Sequence, residues 1–199
     1  MITPSEIQQP RTPSKLREFV VRLKESVEAD EDERHCGILR MGVYKQFLDE
    51  LVPLSCFAMQ SYPDSYKIQP VIGNQGYDAV VFNELGEEIE HIEITAPRDG
   101  AEEAIDARLI VDRGYGRFHV GDPGEDFDAL IPQVLDTCRK KSHKDYNDCA
   151  LVVSIAPIPP FDAFVSRYEE QIEVLVSELE KIKFKAKRVF LLILPDKLI

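Results

Sequence analysis

The chain reads as one α/β domain whose mixed sheet joins an antiparallel hairpin to parallel strands, with helices flanking it. Three observations predict this. Apolar residues recur at i, i+3, i+4 and i+7 before residue 52, and helical segments return after residue 100. Between them lie two short strand-like runs, YDAVVF (77–82) and IEHIEIT (89–95), joined by the turn cluster Asn83-Glu84-Leu85-Gly86, which is the pattern of a β-hairpin. Late in the chain, CALVVSIA (149–156) and VFLLIL (189–194) are near-continuous apolar runs separated by a helical segment. Such runs mark strands buried on both faces and paired in parallel.

Taken in order, residues 1–12 read as a flexible arm, polar and with two prolines, and 13–199 as a single domain. Ser14 is placed to cap a first helix, Lys15 to about Glu28, with Leu16, Phe19, Val20 and Leu23 on its apolar side. A second helix is expected from about Arg34 to Leu51, with Pro53 discouraging its continuation and the apolar stretch Leu54 to Met59 offering another helical turn. Residues 67–72, 77–82 and 89–95 follow as strands. Ala101 to Arg113 reads as a helix stopped by Gly114 in a left-handed cap. A Gly-rich loop, 114–124, leads to a helix capped by Asp126 and running from Phe127 to about Lys141. The two apolar strands then flank a long helix, 162–183.

The chain has 199 residues, 44% of them hydrophobic, which is ample for one core. Its formal net charge is -12, which opposes non-specific binding to nucleic acid while leaving room for a locally basic cleft. The four cysteines form no CxxC pair and no zinc spacing, so reduced, mostly buried thiols are expected. No window approaches the roughly 18 consecutive apolar residues of a membrane span. The N-terminal stretch has no apolar core of a signal peptide, so a cytoplasmic location without membrane contact is expected. Residues 114–124 have no Lys-Ser or Lys-Thr after the glycines and are not a phosphate-binding loop.

The chemistry concentrates in the hairpin. Glu93 and Thr95 lie two apart on one strand and share a face with His91. With a four-residue loop, Phe82 pairs with Glu87, Asp78 falls opposite His91, and Asp78 is diagonal to Glu93. A slip of one residue would put Asp78 on the other face. Two carboxylates so placed repel each other and invite a hard divalent cation that keeps several waters. The plainer reading makes Asp78 a turn residue and the glutamates of this strand a solvated edge.

An Asp on one hairpin strand, then Glu-x-Lys on the next, in α-β-β-β-α-β order, is the signature of the PD-(D/E)xK (restriction-endonuclease-like) nuclease superfamily. GYDAVVF and IEHIEITAPRDG resemble it, over roughly residues 40 to 155. The resemblance implies Asp78 and Glu93 as ligands of Mg²⁺ or Mn²⁺, with the Ile94 carbonyl beside them and Glu50, in YKQFLDEL, as an additional acidic ligand. It implies phosphodiester hydrolysis, with DNA or RNA as the partner. Thr95 stands where the family has its lysine. In some branches a following helix supplies that lysine, and CRKKSHKDY offers Lys140, Lys141 and Lys144, with Lys141 the first choice. The rival expectation is an inactive member of the same fold serving as a binding or regulatory module. Convergence of Asp78, Glu93 and a lysine discriminates the two.

Overall fold

The computed structural model describes residues 2–73, 75–97, 100–116, 123–156, 165–194 and 197–198. The first residues already depart from expectation. Pro4–Ile7 form a helical turn (α1) capped by Thr3, Ile2 and Ile7 are buried, and Arg11 exchanges backbone hydrogen bonds with Ile68. The segment expected to be a loose arm is therefore packed, because its two isoleucines join the core. Thr12, one residue before Pro13, caps α2 (Pro13–Ala29); Ser14 instead donates its N–H to Asp64. Proline suits the first helical turn, where its missing N–H costs nothing.

The second helix is broken. α3 (Glu31–Ile38) ends before Arg40 and Gly42, which adopt positive φ of 50° and 55°. The chain then resumes as α4 (Val43–Gln46), one π turn (Phe47–Leu51) and α5 (Val52–Ser61). Pro53 does not end the helix. Proline lacks an N–H and clashes with the carbonyl four residues back, and the wider π turn immediately before it absorbs that defect.

Among the described residues six strands follow, in sheet order β1 (Lys67–Pro70), β2 (Ala79–Phe82), β3 (Glu88–Thr95), β4 (Tyr146–Ile155), β5 (Ala186–Ile193) and β6 (Lys197–Leu198). β1, β2 and β3 form an antiparallel meander, β3, β4 and β5 run parallel, and β6 closes antiparallel on β5. This is the expected mixed sheet. Between β3 and β4 come α6 (Gly100–Arg113), ended by Gly114 at φ 75°, and α7 (Pro123–Ser142). The second of these starts earlier than Asp126 and leaves Pro132 inside it, on an exposed side. α8 (Val165–Glu180) links β4 to β5. The prolines of 157–160 and residues 117–122 of the Gly-rich loop lie outside the described residues.

Side-chain alternation divides the core into two layers. On one face Ile92, Ile94 and Val152 pack with Leu16, Phe19, Leu54 and Phe57 of α2 and α5. On the other, Leu151, Val153 and Ile155 pack with Val134 and Cys138 of α7 and Leu175 of α8. β5 is only half covered: Val189 is 36% exposed while Leu191 to Ile193 are buried. Its expected burial on both faces fails over its first half. Phe57 is fully buried, edge-on to Tyr62 and tilted against Phe190 at 5.0 Å. Phe57→Ala should cost about 3–5 kcal/mol of folding stability, read as a lower denaturation midpoint at an unchanged slope.

Candidate functional site

The hairpin geometry decides whether the acidic residues meet. Asn83 closes the turn: its side-chain oxygen accepts the N–H groups of Leu85 and Glu87, and its own N–H donates to the Glu87 carbonyl. Gly86, at φ 81°, takes the left-handed position such a loop requires. The closing pair is thus Asn83 with Glu87, one residue off the expected Phe82–Glu87. A second offset of one residue follows. Phe82 pairs with Glu88 but Val81 pairs with Glu90, so Ile89 bulges out of the ladder. The two offsets sum to two and preserve the face. Ala79 then pairs with Ile92, and the Asp78 N–H donates to the Ile92 carbonyl at 2.7 Å. Continuing that register sets Asp78 directly opposite Glu93, where a diagonal relation was expected.

Beyond this point β2 and β3 part. The Ile94 N–H finds no carbonyl on the neighbouring strand and donates to Asp78 Oδ2 at 2.7 Å. A gap opens in the sheet there, and both helical layers reach into it. From one side the π turn brings Glu50. From the other, Lys141 near the C-terminal end of α7 places Nζ 2.6 Å from Glu93 Oε1, and Tyr146 at the start of β4 donates its hydroxyl to the same oxygen at 3.2 Å. Lys141 and Glu93 are only 20% and 12% exposed, so this pair is largely out of water. Thr95, on the Glu93 face, is buried at 7% exposure and holds no charge. Glu93 is no edge residue, since β3 is paired on both sides.

The electrostatics follow from that crowding. Burial pushes the Asp78 carboxyl up to about 6, and the Glu93 charge pushes the same way; the Ile94 N–H and Lys141 oppose them. Burial also raises Glu50 to about 7, aided by the charges of Asp78, Asp49 and Glu93 and opposed by Lys45. For Lys141, burial alone would lower the value, but the hydrogen bond and charge of Glu93 outweigh it and the ammonium is held charged. Burial raises the Tyr146 phenol, and Glu93 adds to the effect. Carboxylates pressed upward against one another are the usual condition of an acidic site built for a cation or a proton.

The five candidate residues therefore share one place: Asp78, Glu93, Ile94, Glu50 and Lys141. Asp78 and Glu93 face each other, Lys141 and Tyr146 hold Glu93, and Glu50 lies within their electrostatic reach. The convergence is incomplete in one respect. Among the described residues no three side chains of the His, Cys, Asp and Glu types close into a metal-holding group. The pair of carboxylates fits Mg²⁺, which is commonly held by one or two carboxylates with its remaining positions filled by water. Lys140 is turned away and pairs with Asp136, and Lys144 is exposed past the helix end.

Three neighbours were not anticipated. Arg40 pairs with Asp49 in the π turn and, at 3.3 Å, with Glu103 on α6. Glu90, on the opposite face, is buried between Tyr62 and Arg188. Tyr77 stacks on His91, ring centroids 4.0 Å apart and nearly parallel. None carries a sequence signal, because each depends on a partner at least nine residues distant in the chain.

Glu50 yields a stability test. Its folded value, about 7, lies above its ordinary 4.5, so the folded state holds the extra proton between those limits. Stability then falls as pH rises through this window. Glu50→Gln removes the penalty and should stabilise the fold at pH 8 by on the order of 1–3 kcal/mol, with no gain near pH 4. Urea unfolding at the two pH values checks it; an equal gain at both would refute the electrostatic cause.

No family model, no curated protein and no solved structure matches the chain. No helix of the described residues is long and apolar enough to cross a membrane.

Proposed function

We propose that this chain is a Mg²⁺- or Mn²⁺-dependent phosphodiesterase of the restriction-endonuclease-like kind, acting on DNA or RNA. The observation that carries the reading is Lys141. Thr95 leaves the usual lysine position neutral, and α7 supplies an ammonium 2.6 Å from Glu93, at the acidic pair. The element order α5, β1, β2, β3, α7, β4, with three antiparallel strands and a parallel fourth, agrees with the resemblance. The insertion of α6 departs from it.

Asp78, Glu93 and the Ile94 carbonyl would hold the cation, which when bound polarises a phosphoryl oxygen and lowers the pKa of its water. Lys141 offers a permanent positive charge where negative charge develops on phosphate oxygens. Tyr146 fixes the orientation of Glu93. Glu50, balanced near neutrality, can take up the proton that an attacking water gives away. The chain's net charge of -12 favours a second reading, an inactive binding module of the same fold, because it opposes contact with a polyanion.

Calorimetry with Mn²⁺ separates the two. The ligands must be ionised, so affinity should fall as pH drops from 8 through about 7 to 6, with Asp78 taking up its proton near 6. We expect binding at pH 8 at least about fivefold tighter than at pH 5.5, with protons released on binding. Absence of binding at pH 8 would leave the inert module.

A further inference from the structure

Beside the carboxylates, the structure holds a cleft of about 450 Å³ between the 38–50 segment and α6. Glu50, Ile94 and Thr95 form its inner end, so it is continuous with the acidic site. Its outer walls combine two chemistries. Ile38, Leu39 and the α6 residues Ala104 and Ala107 are apolar; Arg40 and Lys45 are cationic. A volume of this size takes one small-molecule-sized unit, not a stacked base pair. Arg40 is held there at a left-handed φ of 50° by Asp49 and Glu103. Its guanidinium has five N–H donors, more than two carboxylate contacts consume.

At the other end of the Glu93 face lies a second feature. His91, Glu93 and Thr95 succeed one another along β3 at about 6–7 Å intervals. His91 carries the parallel stack with Tyr77, and both rings are partly exposed. The acidic pair thus has a cleft on one side and a two-ring step on the other. We propose that the nucleic acid crosses this site as an unpaired strand, with one nucleotide seated in the cleft and the neighbouring base stacked on the Tyr77–His91 pair. The proposal rests on the phosphodiesterase reading and names its substrate class.

Each chemistry has a role. The apolar wall of α6 takes a base, and Arg40 and Lys45 take a phosphate. Aromatic stacking is tolerant of base identity, since every base has a π-face. The cleft walls carry three carboxylates, Asp49, Glu50 and Glu103, against those two cations, so a phosphate alone is not drawn in. A divalent ion at the acidic pair neutralises that pair and lowers the repulsion a phosphate meets. Strand binding is therefore expected to require the metal.

The test uses the full chain, Mn²⁺, and a fluorescent 12-nucleotide single strand with cleavage-resistant phosphorothioate linkages, compared with the same sequence in a duplex. Single-strand affinity should exceed duplex affinity at least tenfold and be lost when Mn²⁺ is removed. Ala107→Trp fills the cleft from a helix with no buried residue, so the fold tolerates it. It should weaken single-strand binding at least tenfold while leaving Mn²⁺ affinity unchanged. Ala104→Trp, from an exposed position on the same helix, should repeat the effect. His91→Ala should weaken binding about tenfold by loss of stacking. Equal affinity for the duplex, or native-like strand binding by both tryptophan variants, overturns the proposal while Mn²⁺ binding still stands. Loss of Mn²⁺ binding in the native chain overturns the phosphodiesterase reading beneath it.

Discussion

Mn²⁺ binding and Mn²⁺-dependent strand cleavage should both disappear in the Asp78→Ala, Glu93→Ala double variant, cleavage by at least about a thousandfold, because metal polarisation of a phosphoryl oxygen supplies several kcal/mol of the barrier reduction. The two carboxylates are the paired oxygen donors that face each other across the strand gap, and no third His, Cys, Asp or Glu among the described residues closes the group. The variant also carries a folding cost: Glu93→Ala leaves the largely buried Lys141 ammonium without its partner, on the order of 3–5 kcal/mol. Alanine at 78 leaves the Ile94 N–H without its acceptor, worth about 1–3 kcal/mol. Removing the buried Asp78 carboxylate and its repulsion with Glu93 offsets part of this. Asp78→Asn provides the control, since its amide oxygen can still accept from Ile94 while losing the charge. If Asp78→Asn binds Mn²⁺ as well as the native chain, Asp78 is a structural cap for the parted strands and not a ligand.

Lys141→Met should lower the hydrolytic rate by about 10²–10³ while leaving Mn²⁺ affinity intact or raising it a fewfold. The two readouts move apart for a physical reason. The ammonium competes with a cation for Glu93 Oε1, which it approaches at 2.6 Å. It also supplies positive charge to the reaction itself. A lysine serving only as a structural counter-ion would give another pattern. Its loss would strand a largely buried Glu93 charge and cost on the order of 3–5 kcal/mol of stability in the absence of metal. It would leave the metal-saturated rate per folded molecule unchanged. That unchanged rate would sink the catalytic assignment. Lys140→Met, at an exposed residue paired with Asp136, should do neither.

The acidic site carries a standing electrostatic cost. Burial and like charge lift Asp78 and Glu50 toward neutrality, and Lys141 offsets only part of it. The π turn and the left-handed Arg40 lie in the same short segment as Glu50. Irregular helical turns and sparsely populated backbone angles concentrate where a side chain must be held against its preference. Here they bring Glu50 into reach of the acidic pair and anchor Asp49.

The sequence by itself determined the class of the fold and the identity of the acidic pair. Apolar periodicity of 3.6 marked α2, and alternation of two marked β3. The unbroken apolar run of 149–156 marked a central strand. These signals are local: a side chain's neighbours along its own element decide its burial. Asp78 and Glu93 were legible because a strand's period fixes which residues share a face, and the one-residue offsets in loop and ladder add to two, which preserves the face. Tertiary structure alone decided the rest. The Ile89 bulge set Asp78 directly opposite Glu93, and a bulge is a property of two strands pairing. Lys141 reaches Glu93 across 48 residues of chain because α7 lies on that face of the sheet. Glu50 joins because the π turn just before Pro53 holds it within electrostatic reach of Asp78 and Glu93. Packing also claimed the expected arm, since Ile2 and Ile7 had apolar surface to bury and a core within reach. Periodicity records what a residue prefers; which distant groups meet depends on register and layer packing, and those are settled only when the whole sheet is assembled.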